Sequence, residues 1–306
     1  VNPTMSIPRH SMIVATLLGF GALAGIGILR GELLVYEGFD YQAGVEIHGE
    51  SGGVGFGDRK WEDNQDHAAE RDHVGTGSLT YGSLTTTGNS LRQTSIAVNG
   101  STDNRSINPI PGINGSTTWI SFLLRSEGPV SPDQPTHLGV RANPVSEAPF
   151  FGVVDNPDGQ TVFAISSNTP FTKPDVFTNI AFEAGQTYLI VASIAWDTAP
   201  GASELVKLYI NPPLGANPPL SPDAFRDDLN IATNGNTNRI ASLELASSGD
   251  GVAWIFDELR IGEAFSDVVP ITVPEPATIL AIVGAMAIWG LRKRGRLLVR
   301  SILPKA

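Results

Sequence analysis

Between residues 32 and 261 the chain is cut into short apolar runs by turn-forming dipeptides, and this cadence limits the fold more than any other feature. About twelve runs predict strands: 32–39, 54–61, 78–86, 90–98, 117–125, 137–142, 150–155, 161–166, 188–196, 205–211, 240–246 and 254–261. Asn99-Gly100, Asp158-Gly159, Pro200-Gly201 and Asp250-Gly251 punctuate them. Polar and apolar positions alternate imperfectly in 205–210, whereas 188–192 is apolar throughout, as in a strand covered on both faces. So many short, turn-separated strands predict an all-β, two-sheet sandwich of jelly-roll type. One short helix is expected at 223–229. The proline-rich stretch 211–222 reads as a long surface loop inside a single domain, because similar strands resume at Ile240. No fixed-period repeat is present, which excludes solenoids and propellers.

Composition narrows the chemistry. The 33 Gly and 22 Pro make up close to a fifth of the 306 residues, against about 12% ordinarily, and charged residues are scarce, which disfavours coiled coils and helical bundles. The absence of cysteine removes disulfides, thiolate metal sites and a cysteine nucleophile together. All 31 carboxylates lie within 31–275, where only 12 of the 20 Lys and Arg fall, so the body carries a formal charge near −19. A phosphate backbone needs a stripe of Lys and Arg to displace its counterions. Nucleic acid is therefore not an expected partner. Calcium suits such a charge, although acidic surface ordinarily serves only to keep a protein solvated.

The two ends differ from the body. Arg9 and His10 precede the apolar run 12–20, and Ala22-Leu23-Ala24 follows, the three parts of a secretory signal over 1–24 with Ala22 and Ala24 at its cleavage site. An uncleaved anchor, read on to Leu29, is the competing reading. Near the other end, Val273-Pro274-Glu275-Pro276-Ala277 leads into TILAIVGAMAIWGL and then Arg292-Lys293-Arg294. As a helix, 277–291 would be about 22 Å long, a short transmembrane span with its basic flank on the cytoplasmic side. The acidic body would then lie across the membrane.

Pro274, Glu275 and Pro276, a short hydrophobic helix and the Arg292, Lys293, Arg294 cluster together resemble the PEP-CTERM sorting signal of exported bacterial surface proteins. The resemblance implies a sorting segment at 273–296, followed by a basic tail at 297–306, and an exosortase-type processing enzyme as partner. The body carries a second likeness. LLVYEGFDY at 33–41, the glycine-rich 52–57 leading to Trp61, TYLIVASIAW at 187–196, VKLYINP at 206–212 and WIFDELRIG at 254–262 resemble LamG-like, concanavalin A-like jelly-roll domains. That resemblance spans 32–269 and implies a surface or matrix protein that binds carbohydrate in some members, without catalysis. The expectation is an exported, non-enzymatic sandwich at the cell envelope, cell surface or extracellular matrix, membrane-anchored before processing, with polysaccharide as its ligand. A polysaccharide hydrolase or lyase on the same fold is the competing expectation.

Several side-chain constellations stand out against that background. Gly49-Glu50-Ser51-Gly52-Gly53 matches a nucleophile elbow, but no helix can begin in the glycine run that follows. Asp63, Asp66, His67, Glu70, Asp72 and His73 form the densest polar cluster, read as a solvated loop rather than a divalent-ion site. Asp155 and Asp158 bracket a turn whose oxygens would suit calcium, and a plain hairpin explains them equally. No other cofactor is expected. Asp257 and Glu258 are adjacent in a predicted strand and so should face opposite ways, unlike the acid pair of a retaining glycosidase. Among the tryptophans, Trp196 and Trp254 read as core, and Trp61, beside the polar cluster, as the sugar-stacking platform. Asn99, Asn104 and Asn114 begin Asn-x-Ser triplets and imply surface exposure.

Overall fold

Fifteen strands and one short helix form the regular structure among the described residues of this computed structural model, which are 31–63, 72–94, 101–130, 136–141, 147–167, 174–199, 201–215, 217–231, 239–247 and 252–270. In chain order they are β1 (Leu33–Glu37), β2 (Glu62–Asp63), β3 (His73–Gly75), β4 (Ser90–Thr94), β5 (Ser101–Pro111), β6 (Thr117–Ser126), β7 (Thr136–Arg141) and β8 (Pro149–Asp155). There follow β9 (Thr161–Ser167), β10 (Val176–Ala181), β11 (Tyr188–Ala195), β12 (Glu204–Ile210), β13 (Ala224–Leu229), β14 (Arg239–Ser247), β15 (Ala253–Gly262) and α1 (Phe265–Val268). The expected signal segment, with Ala22 and Ala24, lies outside the described residues. So do the sorting segment, with Pro274, Glu275, Pro276, Arg292, Lys293 and Arg294, and the tail. Among the described residues no helix is long and apolar enough to cross a membrane.

The strands pair antiparallel into two sheets. One runs β13-β12-β11-β6-β15-β4-β3, with β1 joining β15 beyond the end of β4, and the other runs β10-β9-β8-β7-β14-β5-β2. Alternation along each strand decides what meets in the middle. Ile120, Phe122 and Leu124 of β6 and Trp254 and Phe256 of β15 face Phe151 and Val153 of β8, Phe163 and Ile165 of β9, and Leu243 and Leu245 of β14 in one core. Each fully buried side chain of this size contributes about 1.5–3 kcal/mol. The result is the all-β sandwich that the cadence of short runs predicts.

The first sheet is also covered on its outer face. Leu123, Leu189, Val191, Tyr209 and Ile255 pack beneath Leu79 and Leu84 from the 76–89 segment and beneath Phe265 and Val268 of α1. Strand β11 is consequently buried along almost its whole length, which accounts for the unbroken apolar run at 188–192.

Several elements depart from expectation. The segment read as a helix at 223–229 is strand β13, whose burial alternates Ala224 in, Phe225 out, Arg226 in; its pairing with β12 overrides local propensity. Residues 54–61 contribute only the Tyr36–Val54 bridge, and 78–86 form the irregular outer cover. Strand β5 was not anticipated, because its inward positions include the polar Ser101, Asp103 and Arg105. Strands β2, β3 and β10 and helix α1 were likewise unforeseen.

Candidate functional site

The glycine-rich 52–57 segment is a close backbone contact and no nucleophile elbow. Val54 and Tyr36 exchange backbone hydrogen bonds of 2.8 and 3.1 Å. Gly53 has φ 67°, and a Cβ there would lie 2.4 Å from the Tyr36 carbonyl, so only glycine fits. Ser51 is exposed, and no helix follows it.

Trp61, the expected sugar platform, is wholly buried, 0% exposed. Its ring lies 6.0 Å from Phe39 and 6.3 Å from Phe56, and its indole N–H donates to Glu37 Oε2 at 3.2 Å. An indole sealed in this way presents no face to a sugar, which corrects the expectation. The same carboxylate oxygen accepts from Tyr41 Oη at 2.7 Å and from Arg105 Nη1 at 2.6 Å, and Glu37 Oε1 accepts from the Phe39 amide at 2.9 Å. Arg105 also donates to the carbonyls of Arg59 (3.0 Å) and Gly52 (2.8 Å) and stacks 3.8 Å over the Phe56 ring. Burial, and the Glu37 charge next, push the Tyr41 phenol well above its ordinary range. This cluster fastens residues 38–61 between the two sheets.

The 155–159 turn is organised by its asparagine. Asn156 Oδ1 accepts from the amides of Asp158 (3.0 Å) and Gln160 (2.9 Å), and Asp155 accepts from the Thr161 hydroxyl at 2.7 Å. Asp155 and Asp158 thus sit in a β8–β9 hairpin. Of the polar cluster, residues 64–71 lie outside the described residues. Asp63 ends β2, His73 opens β3, and Asp72 is buried, accepting from the Ser101 hydroxyl and the Thr94 amide. Among the described residues no group of three or more His, Asp or Glu is placed to hold a metal ion. Asn99 lies outside the described residues, Asn104 is in β5, and Asn114 accepts from the Thr198 amide.

Asp257 and Glu258 do not face opposite ways. Between Asp257↔Leu123 and Arg260↔Ser121, β15 carries one residue more than β6, and Glu258 stands at φ 53°. This bulge breaks the alternation and sends both carboxylates to the outer face, correcting the strand-parity expectation. Asp257 Oδ2 accepts from Ser78 Oγ at 2.5 Å and from the Leu79 amide at 2.6 Å. Glu258 Oε1 accepts from the Thr87 amide at 2.6 Å and Tyr36 Oη at 3.1 Å, and its other oxygen pairs with Arg260. Desolvation first, with the Glu258 charge adding to it, raises the Asp257 carboxyl to about 8. Burial likewise raises the Tyr36 phenol to about 12. The pair therefore pins the 76–89 segment against the sheet.

Beside that segment lies a pocket of about 170 Å³, lined by Thr76, Ser78, Thr80, Ser90, Arg92 and Arg125, with Ile255 in its wall. Arg92 and Arg125 come from β4 and β6, which flank β15, and both pair with Ile255 in register. Arg92 donates through Nε (3.2 Å) and Nη2 (2.9 Å) to Glu127 Oε2. Arg125 forms no hydrogen bond or ion pair among the described residues. A larger groove of about 540 Å³, lined by Leu34, Pro109, Pro111 and the exposed Ile113, lies between the start of β1 and the end of β5. It is more apolar and brings together fewer charged groups. Sequence reasoning passed over Arg92 and Arg125, although Arg125 shares strand parity with the outward Trp119 and Leu123, a signal that was present.

Neither a family model nor a curated protein matches the chain. Among solved structures, alginate lyase Aly36B is similar at 10% identity and a TM-score of 0.48, over 75% of this chain and 97% of that one. The globular domain of T. cruzi calreticulin is similar at 13% identity and a TM-score of 0.46, over 86% and 100%. An endo-beta-1,4-glucuronan lyase from the fungus Trichoderma reesei is similar at 12% identity and a TM-score of 0.42, over 75% and 99%. The assignment of a two-sheet sandwich rests on this chain's own strand order.

Proposed function

We propose that the chain is an exported, concanavalin A-like jelly-roll module that binds glycan without cleaving it. In this reading a PEP-CTERM signal at 273–296 delivers it to the cell envelope, cell surface or extracellular matrix, with an exosortase-type enzyme as its processing partner. The observation that favours binding over catalysis is where the oxygens of Asp257 and Glu258 are spent. They accept hydrogen bonds from Ser78, Leu79, Thr87 and Tyr36 and pair with Arg260, so this acid pair is committed to holding a loop. The neighbouring pocket, with its hydroxyls and guanidinium groups, offers the donors and acceptors that sugar hydroxyls use.

The full-length protein, incubated with a panel of polysaccharides, should retain ligands and release no new reducing or unsaturated ends. Turnover that the D257N or E258Q variant abolishes would instead establish a hydrolase or lyase. Delivery is tested separately by intact mass of the protein recovered from cells. The expected species begins near residue 25 and ends near residue 276; a full-length mass counts against sorting.

A further inference from the structure

We infer that the pocket around Arg125 is a subsite for the anionic group of an acidic sugar, a uronate carboxylate or a sulfate ester. This inference rests on the glycan-binding reading and narrows its ligand class. Among its 12 Lys and Arg within 31–275, the body sets two on β4 and β6, the strands on either side of β15, converging on the same small cavity. Arg92 is already neutralised by Glu127. Arg125, half-buried in the cavity wall, has no hydrogen-bond or ion-pair partner among the described residues, and its planar fork is the shape that a carboxylate or sulfate meets with two parallel hydrogen bonds.

The body charge near −19 does not forbid this. At physiological salt, charges beyond about 8 Å are largely screened, so an anion inside the cavity responds mainly to the groups that line it. These are two guanidinium groups, one carboxylate and the hydroxyls of Thr76, Ser78, Thr80 and Ser90. Ser90 is held by donating to the Gly77 carbonyl at 3.0 Å, and Ser78 by donating to Asp257 at 2.5 Å. These two hydroxyls of the cavity lining are therefore fixed before any ligand arrives, which lowers the ordering cost of binding. What repulsion survives screening is set against a local contact that a neutral glycan lacks.

The test is binding of the full-length protein to oligogalacturonate, to a sulfated oligosaccharide and to a neutral cello-oligosaccharide of the same length, by calorimetry at fixed salt. Arg125→Gln and the charge-matched surface control Lys60→Gln are compared with the parent. The expected result is tighter binding of one or both anionic oligomers than of the neutral one. Arg125→Gln should lose roughly tenfold, the scale of one charge-assisted hydrogen bond, Arg125→Lys should lose less, and Lys60→Gln should match the parent. Whichever anionic oligomer responds to Arg125→Gln identifies the group as carboxylate or sulfate. Equal binding of neutral and anionic oligomers, or no effect of Arg125→Gln, overturns the inference and leaves glycan binding standing. No binding to any oligomer overturns both. Arg125 forms no hydrogen bond or ion pair among the described residues, so an unchanged melting temperature in Arg125→Gln separates lost recognition from lost fold.

Discussion

Two buried acid clusters each fasten a long segment to this sandwich, one between the sheets and one on the outer face, and they balance their charge differently. Inside, Glu37 meets Arg105, Tyr41, Trp61 and the Phe39 amide, so that one carboxylate faces one guanidinium and neutral donors. Outside, Glu258 pairs with Arg260, whereas Asp257 meets only the Ser78 hydroxyl and the amides of Leu79 and Glu258 and keeps its proton up to about pH 8. The inner cluster is a charge-matched latch in the core, whereas the outer one holds surplus acid beneath a loop that walls the candidate pocket. A carboxylate paired with charge stays ionised, and one satisfied mainly by neutral donors in a dry site becomes titratable.

The inner latch gives the largest expected effect. Arg105→Met leaves Glu37 buried and unpaired, and should cost about 3–5 kcal/mol of unfolding free energy in denaturant titration. Adding Glu37→Leu to the same chain should recover much of that loss, because the uncompensated charge is gone. Failure of the double variant to recover would mean that Arg105 acts through its contacts with Arg59, Gly52 and Phe56 rather than through charge.

The outer cluster should respond to pH, with a sign fixed by the raised carboxyl. Below about pH 4 Asp257 is protonated in both the folded and unfolded chains. Above that, the unfolded chain releases the proton while the folded one retains it to about pH 8, so the Asp257 contribution to stability falls progressively across this window and is flat beyond it. Asp257→Asn removes the titration. At pH 5 it should be less stable than the parent by about 1–3 kcal/mol through poorer acceptance from Ser78 and Leu79, and the gap should narrow towards pH 8. A gap that stays constant between pH 5 and pH 8 would show that Asp257 is already ionised in the folded state.

The contrast also explains what the sequence reveals and what it hides. The sandwich is legible in the strand cadence, and the double coverage of β11 in its unbroken apolar run. The latch is not, because Asp103 and Arg105 face inward where a hydrophobic pattern would put Val or Ile, so β5 reads as a polar loop. The bulge is hidden for another reason. Glu258 adopts φ 53° with no glycine to advertise it, held there by Thr87, Tyr36 and Arg260, all more than one residue away in sequence. Trp61 misleads because its polar neighbours in sequence are not its neighbours in space. Trp61→Phe should cost about 1 kcal/mol, one hydrogen bond to an acceptor that keeps three others, and should leave glycan retention unchanged.

The smallest effect on stability, and the sharpest on recognition, is expected where the outer face meets solvent. Arg92 and Glu127 are 44% and 40% exposed, and an exposed pair contributes only about 0.2–1 kcal/mol, so Glu127→Gln should shift the unfolding midpoint barely measurably. The same change removes the one negative charge lining the pocket and leaves Arg92 a full positive charge beside Arg125. An anionic oligosaccharide should then bind more tightly by roughly two- to fivefold, and a neutral one should be unaffected. If both oligomers respond alike, Glu127 contacts sugar hydroxyls and the pocket reads shape rather than charge. If only the anionic one responds, the pocket reads charge, and the scarcity of basic residues elsewhere in the body is what makes that reading local.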